Sequence, residues 1–168
     1  MSDSSSIHLL SRHEGKRVVA PFLTIFKAVG EETGGAFALV EHVIMPQTLA
    51  APPHLHRNED EYTYLIEGEL GIEIGEETVQ LIPGMFVTKP RGIMHTFWNP
   101  GDRPARLLEI IAPAGFEQYF EELDACFRSD GPPDMDGITA VARKYQLEFA
   151  MERVPELLAK YGVRMPGM

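Results

Sequence analysis

The sequence predicts an all-β domain, an antiparallel sandwich or barrel, followed by a short helical extension. Three observations carry this. Six strand-like runs (EYTYLIE, ELGIEIG, ETVQLI, MFVT, IMHTFW and ARLLEIIA) fall between residues 61 and 112, at the roughly 8–12-residue spacing of antiparallel sheets. They are separated by EG, GEE, PG, KPRG and NPGDRP, which is the chemistry of tight turns. After Pro113 the pattern changes to apolar residues at 116, 119, 120, 123 and 127, the spacing of one helix face.

Taken in order, residues 1–15 read as a flexible tail. Val18 to Val29 is apolar and β-prone, enough for one or two strands. EETGG (31–35) is a turn, and Ala36 to Met45 is a long strand whose imperfect alternation fits cover on both faces. Pro46 and the Pro52–Pro53 pair bound a short loop before the run of strands. The expected division is a β-barrel over 16–114 and a helical extension over 115–168. In the extension, GFEQYFEELDACFR is one helix and SDGPPDMDG is a linker that offers capping aspartates. ITAVARKYQLEF and VPELLAKYG are two further short helices whose narrow apolar faces need the barrel, or a second copy, to cover them.

The 168 residues include 15 Gly and 13 Pro, 28 together, in keeping with a turn-rich fold rather than long helices. Lys and Arg number 15 against 25 Asp and Glu, a formal net charge of −10, so phosphate backbones and anionic lipid surfaces are poor partners. Residues 59–77 hold eight acids and no base. Glu61 apart, these read as solvated hairpin ends that protect sheet edges. No apolar run is long enough to span a membrane, and the N-terminus lacks a signal-peptide core, so a cytoplasmic location is expected. Cys126 is the sole cysteine, which excludes an internal disulfide and a thiolate metal cluster.

Chemistry concentrates in two stretches. In PPHLHRNEDEYTYLIEGEL, His54 and His56 are two apart and share a strand face, and the RNED turn can bring Glu61 back beside them. GMFVTKPRGIMHTFWNP places His95 in an aromatic strand. Three neutral imidazoles and one carboxylate suit a divalent first-row ion (Fe, Mn, Ni, Co, Cu or Zn) and leave coordination positions open. Taken alone, an HxH pair also arises on surfaces by accident, and a single strand histidine also occurs as a satisfied core residue. By strand parity, inward-facing Glu61 brings Thr63 and Leu65 with it, while Tyr62, Tyr64 and Ile66 face the other layer. Inward-facing His95 brings Phe97 and turns Trp98 away, and Leu70, Ile72 and Ile74 share an interior face. The expected pocket, lined by Thr63, Leu65, Ile72, Ile74 and Phe97, is therefore mainly apolar and suits a small hydrophobic or aromatic ligand. Asn99 is expected to tie its turn by side-chain-to-backbone hydrogen bonds. The facing of His42 is left open, and His8 and His13 are assigned no role.

Both stretches resemble the two sequence motifs of the cupin superfamily. The pattern G(X)5HXH(X)3–4E(X)6G runs from Thr48, which replaces the first glycine, through His54, His56 and Glu61 to Gly68. The pattern G(X)5PXG(X)2H(X)3N is matched by Gly84, Pro90, Gly92, His95 and Asn99. The resemblance covers about residues 18–114. It implies a double-stranded β-helix (jelly-roll) barrel holding one metal on His54, His56, Glu61 and His95. The Thr48 substitution bears on the loop before His54 and leaves the ligand set intact.

Among cupins, the chain most resembles the single-domain quercetin dioxygenase-like group. That resemblance implies a metal-dependent dioxygenase acting on a small aromatic or enolisable, flavonol-like compound. The ion would act as a Lewis acid and Glu61 as a loosely held general base. The alternatives are a non-catalytic small-molecule-binding cupin of sensor or storage type, or a metal-dependent isomerase. A helix-turn-helix reading of residues 138–162 is disfavoured by Gln146 where a turn glycine is expected, by Pro155 and by the acidic charge. A homodimer is expected, because barrel edges and amphipathic tail helices need covering.

Overall fold

The computed structural model describes residues 7–127 and 131–166. Two six-stranded antiparallel layers form the barrel. The first runs in the order β1 (Arg17–Val18), β2 (Leu23–Ala28), β3 (Ala38–Ile44), β11 (Ala105–Ala112), β6 (Asp60–Glu67), β9 (Phe86–Lys89). The second runs β12 (Leu147–Phe149), β5 (His54–His56), β10 (His95–Asn99), β7 (Leu70–Ile74), β8 (Glu77–Leu81), with β4 (Thr48–Leu49) also on β10. This is the double-stranded β-helix, and every one of the six strand-like runs is a strand.

The alternation of each strand decides what lies between the layers. Ile44, Ala50, Leu65, Leu70, Ile72, Leu81, Phe97, Ala105 and Leu107 make one buried cluster, with Phe22, Ala51, Ile74 and Val87 against it. Each fully buried side chain of leucine size contributes about 1.5–3 kcal/mol. The EETGG turn is a one-turn helix, α1 (Gly30–Thr33), closed by Gly34 at φ 63°. At the start of the first motif the left-handed residue is Gln47, φ 52°. Thr48 is already extended and paired with Asn99, so no glycine is required where it stands.

The extension contains α2 (Glu117–Ala125), α3 (Met135–Lys144) and α4 (Val154–Tyr161). Asp134 caps α3 by accepting from the Gly137 amide at 3.0 Å. The second expected helix ends early. Gln146 takes φ 54°, and Leu147–Phe149 becomes strand β12, paired with β5 so that Leu147 faces His56 and Phe149 faces His54. The free edge of β5 outcompetes helix propagation there. α2 packs Phe116, Tyr119, Phe120 and Leu123 with Val18, Phe26, Val40, Ile111 and Leu147. The buried Asp124 carboxylate accepts the Val19 and Ala20 amides, each at 2.9 Å.

α4 covers the outer face of the second layer. Trp98, turned away from the interior as parity requires, is nonetheless buried with Leu49, Val154 and Val163, and it stacks on Tyr161 at 3.8 Å. Glu73 is likewise not a solvated hairpin acid. It is buried and bound by Arg153 and Tyr161.

Of the expected tail, residues 1–6 lie outside the described residues. Residues 7–15 lie on the first layer, where Lys27 donates to the Arg12 and Glu14 carbonyls at 2.9 and 2.8 Å. No helix among the described residues is long and apolar enough to cross a membrane.

Candidate metal centre

The two layers bring the sequence-separated histidines and glutamate to one point. His54 and His95 are direct cross-strand partners on β5 and β10, with ring centroids 4.5 Å apart. His56, two residues on, lies 5.2 Å from His54 and 5.6 Å from His95 by ring centroid. Glu61 reaches in from β6 of the opposite layer. One donor atom from each of His54, His56, Glu61 and His95 falls within 4.8 Å of the others, and all four residues are buried. The turn that returns the chain to Glu61 is pinned by the second motif. Arg91 donates to Asp60 from its backbone and guanidinium at 2.7–3.2 Å, and the Gly92 amide, at φ 75°, donates to the His56 carbonyl at 2.8 Å.

The donor chemistry fits a cation. A carbonyl oxygen only accepts, so His54 Nδ1 donates to Pro52 at 2.8 Å and His95 Nδ1 donates to Ile93 at 3.0 Å. Burial first, then the neighbouring histidines, holds His54 well below the usual imidazole range. Burial also lowers His95, against the opposing pull of Glu61. In each neutral ring the Nε2 lone pair is therefore left for the centre. His95 Nε2 then meets a Glu61 carboxylate oxygen at 3.1 Å, a contact between two acceptors that a cation between them would relieve. His56, 1% exposed, has no hydrogen bond at either ring nitrogen among the described residues. Its Nε2 is 3.4 Å from Glu61 Oε1 and its Nδ1 is 3.5 Å from Glu59 Oε2. Three imidazoles, two of them oriented from behind by backbone carbonyls, and one carboxylate are a set that could hold one metal ion.

Behind Glu61 stands a group that sequence reasoning did not place there. Lys89 is fully buried, with Nζ 2.9 Å from Glu61 Oε2 and 2.8 Å from Glu109 Oε2. The Thr63 hydroxyl donates to Glu109 at 2.9–3.0 Å, and Lys89 Nζ lies 5.1 Å from the Phe97 ring. Burial works against the charge on Glu61, but His56, Lys89 and His95 outweigh it and hold the carboxyl well below its ordinary range. Burial likewise opposes the Lys89 charge and is overcome by Glu109 and Glu61, which raise it. Burial dominates at Glu109, whose carboxyl is pushed up to about 7 despite Lys89. Glu61 is thus a pinned anion, not the loosely held carboxylate the sequence suggested.

The expected pocket residues separate into two groups. Thr63 borders the centre through Glu109, while Leu65, Ile72 and Phe97 sit in the packed cluster with Ile74 against it, Phe97 also reaching Lys89. The interior is more polar than expected. It carries Thr63, Lys89, Glu109 and also His42, whose Nδ1 lies 2.9 Å from the Thr24 hydroxyl. The extension walls the centre with rings: Phe116 is 4.4 Å from His56 and Phe149 is 5.8 Å from His54 by centroid. Asn99 does tie its turn, donating to the Ile44 and Arg103 carbonyls and accepting from the Gly101 amide. A signal for Glu109 was available, since it is the one charge on the face of ARLLEIIA shared by Ala105, Leu107 and Ile111. Glu59, grouped with the solvated acids, is also buried.

Barrel and site together define a double-stranded β-helix with a candidate mononuclear metal centre. Residues 40–111 match the cupin domain model. The chain is 34% identical over 82 residues to the tetracenomycin polyketide synthase protein TcmJ of Streptomyces glaucescens, covering 48% of this chain and 54% of that protein. It is 32% identical over 60 residues to the polyketide synthase CurC of Streptomyces cyaneus, covering 36% and 39%. The chain thus spans about half or less of the curated relatives it matches. Among solved structures it resembles the polyketide cyclase RemF of Streptomyces resistomycificus, with a TM-score of 0.57, 22% identity, and 66% of this chain and 81% of that one covered.

Proposed function

We propose that this chain is a metal-dependent cupin enzyme that moves protons on a small polycarbonyl substrate, in cyclase- or isomerase-type chemistry, in place of the oxygenation implied by the quercetin dioxygenase-like resemblance. The carrying observation is the buried His54–His56–Glu61–His95 set with a second buried carboxyl, Glu109, next to it across Lys89. A bound divalent ion supplies a Lewis acid that polarises a substrate carbonyl. The three histidines and Glu61 hold it. Glu61, anionic throughout, serves as ligand. Glu109, with its carboxyl near neutrality, is the group matched to accepting an α-proton. Phe116 and Phe149 exclude water from the ligand histidines and offer apolar surface to a substrate backbone.

The similarity to the two polyketide synthase proteins supports an oligoketide-like substrate. Charge supports it too. Ionised Glu61 and Glu109 with cationic Lys89 leave the interior at −1, which a divalent ion turns to +1, and this favours a neutral ketone that passes through a single enolate charge. The test uses the metal-loaded protein with the N-acetylcysteamine thioester of acetoacetate in D2O. Exchange at the α-carbon is followed by NMR and dissolved oxygen by electrode. Catalysed exchange under nitrogen, lost in Glu109→Gln, is the expected result. Oxygen uptake in step with substrate loss, and no exchange without oxygen, would restore the dioxygenase reading.

A further inference from the structure

We propose that Lys89 is a positioning residue of the metal centre: its ammonium holds Glu61 through Oε2, the oxygen that also lies 3.1 Å from His95 Nε2, and so limits that carboxylate to a single bond to the ion. The inference rests on the reading of His54, His56, Glu61 and His95 as ligands.

Two cross-strand pairs build the arrangement. Glu61 opposes Lys89 between β6 and β9, and Thr63 opposes Glu109 between β6 and β11. The four inward-facing side chains therefore form one patch on the first layer. In it Thr63 fixes Glu109, Glu109 fixes Lys89 and Lys89 holds Glu61 Oε2. The Phe97 ring approaches the ammonium from the opposite layer.

Burying an ammonium costs several kcal/mol of desolvation, and an apolar side chain of similar volume could fill the same space. An apolar side chain could not take up a carboxylate lone pair beside the ligand histidines. A carboxylate with both oxygens free can chelate an ion through both. One whose second oxygen is held offers a single bond and leaves a coordination position for a substrate oxygen. Groups behind a ligand typically change metal affinity by about 10–100-fold when removed.

The test titrates the full chain with Co2+ alone and follows the d–d absorption band, cobalt X-ray absorption and the dissociation constant. The parent is compared with Lys89→Met/Glu109→Gln, which removes Lys89 and Glu109 together and leaves Glu61 as the one charge of the patch, and with Lys89→Arg, which keeps a cation. In the double variant we expect one additional oxygen scatterer, a weaker d–d band and affinity about tenfold lower, with the parent spectrum restored in Lys89→Arg. If the double variant does not fold, Thr63→Val, which loosens Glu109, is expected to move the band in the same direction. A spectrum identical to the parent's in these variants, even with a lower melting temperature or weaker binding, overturns the positioning role while leaving the metal site standing. Failure of the parent to bind Co2+ overturns the ligand reading and this inference with it.

Discussion

Acidification from pH 7.5 to 5 is expected to destabilise the protein by about 2 kcal/mol through His42 alone, worked from its depressed pKa by proton linkage. The side chain is 2% exposed, lies between the rings of Phe22 and Phe120 at 5.0 Å each, and bonds Thr24 at 2.9 Å. Burial first, and then the Lys89 charge, lowers its pKa from 6.5 to about 3, with Glu61 opposing. The folded-state value is the lower, so the unfolded chain takes up the proton first. The contribution is complete above about pH 6.5 and is lost as the pH falls toward 3, at about 1.4 kcal/mol per unit. By pH 5 roughly 1.5 units of that interval have been crossed, which gives the 2 kcal/mol. The assay is urea unfolding at half-unit pH steps for the parent and for His42→Gln, which does not titrate but can still bond Thr24. The variant's stability is expected to fall by about 2 kcal/mol less over the same interval. Parallel profiles would show that His42 carries no such linkage and that its surroundings admit the charged ring.

Other outcomes follow from single contacts. His56→Ala is expected to remove most bound metal, measured by elemental analysis, while circular dichroism still reports the barrel; unchanged metal content would refute the ligand assignment. Phe116→Ala takes a buried ring from beside His56, Tyr119 and Phe120. It should cost about 3–5 kcal/mol in chemical denaturation, and a loss below 1 kcal/mol would mean that α2 is not anchored through this ring. At Gly71→Ala the new Cβ would overlap the Trp98 indole, which is held in turn by Tyr161. Overpacking there should cost about 1–3 kcal/mol, and a variant as stable as the parent would show that Trp98 and α4 can yield.

The barrel and the four-residue cluster were legible because both follow from short-range rules. Period-two alternation with Gly/Pro punctuation fixes strands and their faces, and His54 and His56 on one face need only meet a third strand. Glu73 and the end of the second expected helix depended on neighbours distant in sequence. Glu73 reads as one more acid in an acidic run, and nothing nearby announces that Arg153 and Tyr161, about eighty residues on, will cover it. Residues 138–149 have a helical pattern throughout, but Gln146 turns left-handed and the tail pairs with β5. That choice belongs to the unpaired edge of β5, which local propensity does not report.

Lys89 and Glu109 are the instructive case, because the information was local and went unused. Parity places Glu109 on the same face as Leu107 and Ile111, and Lys89 directly before Pro90 at the end of an otherwise uncharged strand. A lone charge on an inward face cannot stay unpaired, since desolvation would neutralise it. Two such charges of opposite sign on strands that both pair with β6 must therefore find each other or a third ion. In this barrel they do both, meeting at 2.8 Å with Lys89 extended 2.9 Å to Glu61. Charge compensation across β6 thus couples the interior polar patch to the candidate metal cluster, so the barrel cannot be treated as an apolar cup.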